Sequence, residues 1–479
     1  MTQRLHPETL NLLNTDVLTP TYDRESLQPR IIHLGIGAFH RAHQAVYTED
    51  AIAHSGGDWG IVGVSLRSDA VATQLRPQTA LYSVMSQDAT HTELRVVGSI
   101  LDVLYAAENP DRVADAIAHS GTRLLTLTIT EKGYCLASDG FSLDNSNNLI
   151  EADLEHPYSP ASAIGLIAYG LHKRVANGGE PITVLSCDNL SENSQRLKAV
   201  LTEYLHASFA DVIPWLHNCV SFPCSMVDRI VPGATTEQKI MQSTLLGLQD
   251  DGAISTEFFK QWIIEDRFAN TRPAWDQVGV EFVDDILPFE NIKLRVLNAS
   301  HSAIAFCGLL AGLDTVDQVM NDEQLASFVT RLIDTELIPA IDAPDGFDLL
   351  DYRNRLLRRY QNPHLRHRCA QIAMDSSEKI SQRWLPAFAA DANTTLLTTS
   401  LSMWCFFVLH TDMIIEDPQA EHLMSQRTDC KPIASRVKST LAIARFHSDS
   451  VGNFERLNTL VLADLDFLVQ YGLREFLRR

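Results

Sequence analysis

Basic charge is scarce in this chain: 39 Lys and Arg stand against 60 Asp and Glu in 479 residues, a formal charge of −21. Nucleic acid and anionic membrane surfaces need a basic footprint and are excluded as partners. A small anionic substrate is not, because a few arginines suffice for a local positive pocket. The eight cysteines (Cys135, Cys187, Cys219, Cys224, Cys307, Cys369, Cys405 and Cys430) form no Cys-x-x-Cys pair and sit in apolar contexts, so reduced, mostly buried thiols are expected. Long apolar runs are lacking as well. The longest, such as residues 303–313, are too short for a bilayer, and the start Met-Thr-Gln-Arg-Leu-His-Pro lacks a signal-peptide core, so a cytoplasmic protein is expected.

What is present is an ordinary globular composition, 45% apolar and 21% charged, in a chain too long for one core. Residues 1–285 alternate β-branched runs (30–35, 60–66, 124–130, 182–187) with helical spacing (41–54, 162–176), the pattern of a parallel α/β sheet. Residues 286–479 carry long amphipathic segments (301–313, 322–337, 352–360, 395–409, 458–477) and read as a mainly α-helical second domain. No linker tract separates the halves, which predicts a tight boundary with the site in the cleft.

Residues Ile31-Ile-His-Leu-Gly35-Ile-Gly37-Ala38-Phe39-His40 form an apolar strand running into a Gly-x-Gly turn and a helix, as a dinucleotide site requires. Gly35 permits the turn, Gly37 lets backbone approach a pyrophosphate, and the helix start offers free N–H groups. His40 stands where a third glycine is usual, and any strand-turn-helix connection shares the rest. After the next strand, Asp69 suits a ribose hydroxyl and NAD, whereas Arg67 suits a 2′-phosphate; NAD is the expectation. His40 and His43 have helical spacing but no third ligand nearby, so no metal is expected. Tyr169 and Lys173 reproduce a Tyr-x-x-x-Lys pair in surroundings foreign to the dehydrogenases that use one, and are read as coincidence.

Lys293, Asn298 and His301 fall within nine residues. Oxidising an alcohol needs a base for the hydroxyl proton, donors for the developing alkoxide, and a hydride acceptor. On a helix Asn298 and His301 are neighbours, and a lysine stem can lean toward them from about 12 Å along the axis. By itself the trio more readily describes two polar residues on a buried helix and a surface lysine.

The wider sequence resembles the mannitol dehydrogenase family, the polyol-specific long-chain dehydrogenases, over nearly its full length. The resembling stretches are Gly35-Ile-Gly-Ala-Phe-His-Arg-Ala-His-Gln44, Thr130-Glu-Lys-Gly-Tyr134, Ser186-Cys-Asp-Asn189, Met226-Val-Asp-Arg-Ile230, Gln261-Trp-Ile-Ile-Glu-Asp266 and Lys293-x₄-Asn298-x₂-His301. The resemblance implies a Rossmann-type N-terminal domain, a mostly helical C-terminal domain and metal-independent NAD chemistry, usually in a monomer, otherwise a dimer. It implies Lys293 as general acid/base, Asn189 and Asn298 as the oxyanion-stabilising pair, His301 orienting the substrate, and Glu131 and Glu290 passing protons to solvent. Gly35, Gly37, Ala38, Phe39, Asp69 and Asp228 are the expected cofactor contacts. A lysine acting as base near neutrality needs its pKa depressed by about three units, which burial supplies.

Within the family, Leu365-Arg366-His-Arg368 and Gln371-Ile-Ala-Met-Asp375 look most like the fructuronate reductases (D-mannonate oxidoreductases). Arg366 or Arg368 suits a sugar-acid carboxylate through bidentate bonding, with Lys379 assisting. The competing view of this run is a solvated turn after Pro363. Ser376-Ser377 departs from the Gly-Ser usual in that branch. The expectation is D-mannonate/D-fructuronate interconversion with NAD(H). The alternatives are a mannitol 2-dehydrogenase or another polyol dehydrogenase and, outside enzymes, an NAD-binding sensor.

Overall fold

The computed structural model describes residues 3–233, 235–390 and 394–479, and the chain forms two compact units, Met1–Leu287 and Pro288–Arg479. In the first, strands β1 (Gln28–Leu34), β2 (Trp59–Ser65), β3 (Ile100–Tyr105), β4 (Leu124–Leu127), β5 (Ile182–Ser186) and β6 (Val220–Ser221) make one parallel sheet. Its order, β3-β2-β1-β4-β5-β6, is that of doubly wound dinucleotide-binding sheets. Helices cover both faces, so the central strands are apolar throughout: Ile31, Ile32, Leu34, Leu124, Leu125 and Leu127 are all buried. Helices Pro110–Ala118 and Ala163–Ala176 start on Asn109 and Ser162 caps, which accept from the N–H groups of Arg112 and Gly165. They pack so closely that a Cβ on Gly170 would lie 2.7 Å from Ile117.

The helix expected over 41–54 is broken. Ala38–Ala42 and Gln44–Ser55 meet at His43, whose backbone is non-helical (φ −122°, ψ −86°). Tertiary contact overrides local propensity there: His43 Nε2 bonds the Gln261 carbonyl at 2.8 Å, and the ring packs on Phe39, Tyr47 and Trp262. Two small sheets, of Tyr82–Gln87, Thr92–Val97 and Ile254–Thr256 and of Ser225–Asp228, Gln261–Glu265 and Glu281–Val283, complete the unit.

The described residues of the second unit contain helices and no strand. Its core surrounds Ala299–Ala311 and Thr395–His410. Helix 322–337 is modified: Asp322 caps Glu323–Leu332, which passes into a π-helical turn, Ile333–Leu337. The apolar-run expectation also needs correction, since Leu287–Ala311 is one continuous helical run of 25 residues, long and apolar enough to cross a membrane. In sequence the polar residues Lys293, Arg295 and Asn298 divide it. With 67% of its most apolar stretch buried inside the protein, it has the setting of a core helix.

Six cysteines are buried, Cys219 is partly exposed and Cys430 is exposed, all as free thiols.

Candidate active site

In the first unit the candidate residues gather at the carboxyl ends of the parallel strands, around the reversal of strand order between β1 and β4. Gly35 follows β1 with φ +94°, and a Cβ there would lie 2.0 Å from the Thr128 carbonyl oxygen. Only glycine fits. Gly37 has ordinary φ, and its absent Cβ would meet nothing nearer than the Gly35 oxygen at 3.8 Å. Its open side leaves room for a phosphate, so the cradle suits a dinucleotide. Gly35→Ala is therefore expected to destabilise the fold by on the order of 3 kcal/mol, through clash and a disfavoured φ. Gly37→Val should leave the unfolding midpoint nearly unchanged and weaken NADH binding roughly tenfold or more, read by fluorescence titration.

Exposed Ala38 opens the following helix, and half-buried Phe39 stacks on His43. His40, in place of a third glycine, stacks on His33 of β1 with ring centroids 3.4 Å apart. Burial pushes His40 down to about 3 and holds His33 well below the ordinary range, so both rings are neutral. Thr128 Oγ1 donates to the Gly35 carbonyl at 2.7 Å, so it accepts from His33 Nε2 at 2.8 Å, which leaves Nδ1 to accept from Thr126 at 2.7 Å. This chain ties β1 and β4 to the glycine turn.

Glu131, Asn189 and Asp69 are exposed at the same edge, following β4, β5 and β2. Asp69 stands before helix Ala70–Leu75 without capping it by its side chain, and Arg67 is exposed two residues earlier. Asp228 is buried at the end of Ser225–Asp228. The residue that organises this edge is Asp188, to which motif reading assigned no role. Its carboxylate accepts from the N–H groups of Ile129 (3.0 Å) and Thr130 (2.8 Å) and from the Tyr134 hydroxyl (2.8 Å). It thereby fixes the turn that presents Glu131, where Thr130 has φ +65°. Its place beside Asn189 in Ser186-Cys-Asp-Asn189 was the available signal. Tyr169 and Lys173 are spent structurally, both bonded to Asp111 of the neighbouring helix, with Lys173 also on Asp115.

In the second unit, Glu290 lies half-buried in helix Leu287–Ile292, and Lys293–Asn298 is a π-helical turn leading into Ala299–Ala311. The Ala299 N–H reaches back five residues to the Leu294 carbonyl. Such turns recur at functional sites. The uniform-helix spacing assumed from sequence is thus corrected: the wider turn brings Lys293 and Asn298, five apart, toward one side. Both side chains are half-buried.

His301 is 7% exposed, and its Nε2 has no hydrogen-bond partner. Its ring packs on Tyr360 (4.6 Å) and edge-on to His367 (5.3 Å). Desolvation, then the fields of His367, Arg359, Arg383 and Lys293, keep it neutral, well below the usual histidine range. A neutral imidazole with a buried unpaired nitrogen is equipped to bond a substrate oxygen. His367, pushed down to about 4 by burial and by Lys379 and Arg359, is the member of the Arg366-His-Arg368 run that faces His301. Arg366 and Arg368 are exposed on either side of it. Arg383 anchors to the Asn298 carbonyl (3.1 Å) and Ser302 Oγ (2.8 Å), and half-buried Lys379 lies 3.9 Å from Asp375. Among the described residues no His, Cys, Asp and Glu cluster is arranged to hold a metal.

A doubly wound dinucleotide-binding unit, followed by a helical unit with a lysine, an amide and a neutral imidazole on one helical run, defines a two-unit dehydrogenase. Family models agree: residues 29–277 match the mannitol dehydrogenase Rossmann domain and residues 285–467 the mannitol dehydrogenase C-terminal domain. The chain belongs to the mannitol dehydrogenase family and is an oxidoreductase acting on CH–OH groups. It is 43% identical over 376 residues to the D-mannonate oxidoreductase of Escherichia coli K12, covering 78% of this chain and 77% of that protein. The mannitol 2-dehydrogenase of Pseudomonas fluorescens, solved with NAD and D-mannitol, is 31% identical with a TM-score of 0.86 over 99% of both chains. A D-sorbitol dehydrogenase solved substrate-free is 28% identical with a TM-score of 0.90 over the whole of both chains.

Proposed function

We propose that the protein interconverts D-mannonate and D-fructuronate with NAD(H). The observation that carries the substrate choice is the cationic surround of His301, where Arg359, Arg383 and Lys293 act on one neutral imidazole within a chain of formal charge −21. Such a field rewards a carboxylate and gives a neutral polyol little. The identity with the E. coli D-mannonate oxidoreductase supports the same reading. Arg366, Arg368 and Lys379 are the proposed cationic contacts, with Arg383, bonded beside His301 to Ser302 Oγ, as a further one.

The Gly35–Gly37 turn would hold NADH, with Asp69 available to a ribose hydroxyl, and the bound cofactor would supply the hydride for the substrate's carbonyl carbon. Protonated Lys293 gives its proton to the carbonyl oxygen as the C=O bond becomes C–O–H; in the reverse direction the neutral amine takes the hydroxyl proton. The amides of Asn189 and Asn298 donate to that oxygen and stabilise alkoxide character in both directions without adding charge. His301 orients a neighbouring oxygen, and Glu131 and Glu290 return protons between Lys293 and solvent.

The second reading, a mannitol 2-dehydrogenase, is favoured by the P. fluorescens enzyme, whose structure holds D-mannitol. NADH oxidation with each ketose separates the two: fructuronate is expected to exceed fructose in kcat/KM by about 10² or more, the worth of one charge-assisted contact of roughly 3 kcal/mol. Equal or better turnover of fructose would sink the uronate assignment. Parallel assays with NADPH decide between Asp69 and Arg67 as the ribose-side determinant.

A further inference from the structure

Four consecutive carbonyls at the Lys293–Asn298 turn and its exit, those of Val296, Leu297, Asn298 and Ala299, each accept a side-chain donor. Ser300 Oγ lies 2.6 Å from the Val296 oxygen and 3.1 Å from that of Leu297. Tyr360 Oη lies 3.0 Å from the Leu297 oxygen and 2.8 Å from Ser300 Oγ. Arg383 donates to the Asn298 carbonyl at 3.1 Å and Trp384 Nε1 to that of Ala299 at 3.1 Å. Ser300 and Tyr360 are 0% and 2% exposed, so water does not compete for these bonds.

This pattern has a physical reason. At 3.6 residues per turn, five residues amount to about 1.4 turns, which sets Lys293 and Asn298 on different faces of an α-helix. The π-helical turn brings them together, but regular i→i+4 bonding competes with it throughout the segment. Donors from other segments, Tyr360, Arg383 and Trp384, favour the irregular turn over its regular rival, because returning to α-geometry would move the carbonyls away from them, and Ser300, bonded within its own helix, joins them through Tyr360 Oη.

We propose that Tyr360 and Ser300 are positioning residues: their hydroxyl pair clamps the π-helical turn and so sets Lys293 and Asn298 at the spacing that turnover requires. The proposal rests on the reading of Lys293 as acid/base and Asn298 as oxyanion donor. Tyr360 works through backbone carbonyls, and its ring independently supports His301. Tyr360→Phe keeps the ring and removes the hydroxyl.

The experiment compares the full-length wild type, Tyr360→Phe, Ser300→Ala and the double variant with NADH and fructuronate. Each single variant should lower kcat about tenfold with the KM for NADH unchanged, and should displace the pH profile of kcat, because Lys293 sits differently against its neighbours. The double variant should lose little more than either single one, since both interrupt the same clamp. Should Tyr360→Phe fail to fold, Ser300→Ala carries the same kinetic and pH criteria alone. Lowered thermal midpoints with kcat per folded molecule and pH profile as in wild type would overturn the proposal and leave these hydroxyls a purely structural role. Lys293→Ala, run alongside, keeps the two questions apart: retained turnover there refutes the underlying acid/base reading, whereas an inactive Lys293→Ala beside a fully active Tyr360→Phe refutes the clamp alone.

Discussion

Lys293→Ala is expected to lower kcat by about 10²–10⁴ while leaving NADH affinity within about twofold of wild type, the range that loss of a positioned acid/base produces. The side chain is half-buried, three residues after the half-buried Glu290. On the proposed reading its removal deletes the proton donor for ketone reduction and the acceptor for alcohol oxidation together, so both directions should fall by a similar factor. The basic limb assigned to the lysine should vanish from the pH profile, and small primary amines should restore part of the activity. Turnover within tenfold of wild type would refute the assignment. The Gly35–Gly37 turn proposed to hold the cofactor belongs to the first unit and Lys293 to the second, so NADH titration separates lost chemistry from lost fold.

Asn298→Asp carries the second large effect, a loss of about 10²–10³ in kcat, the cost of removing one oxyanion donor from a preorganised site. The change is nearly isosteric. The main chain at this position is held independently, by Arg383 on the Asn298 carbonyl, so folding should survive. On the proposed reading the side chain, however, turns from a neutral donor into an anion beside an oxygen that gains negative charge, and the two repel. Lowering the pH should recover activity as the carboxyl protonates and becomes a donor again, a signature that general destabilisation does not produce. Equal kcat for wild type and variant across the pH range would remove Asn298 from the mechanism.

The legible parts of this protein are those that depend on neighbours in the chain. The alternation of β-branched runs with helical spacing told of a parallel sheet, and β1, β2, β4 and β5 form where it placed them to within a few residues. Gly35 is where the turn demands positive φ, and Lys293, Asn298 and His301 share one helical run. Where the reading faltered, a distant partner had intervened. His43 breaks a helix because a carbonyl 218 residues away takes its ring nitrogen. In the Arg366-His-Arg368 run it is His367 that packs against His301, a contact no motif announces, with Arg359 and Arg383 adding positive charge from other helices.

The sequence by itself determined the fold class, the glycine turn and the residue types available for hydride and proton transfer, because backbone sterics, side-chain periodicity and functional-group chemistry are local. Only the tertiary structure decided how those residues are held. The π-helical turn is indistinguishable from an α-helix in composition; Tyr360 and Arg383, 60 residues from Ser300 and 85 from Asn298, supply the donors on its carbonyls. Likewise His301 is neutral because the surrounding helices exclude water and set positive charge around it, a property of packing that no spacing of residues records.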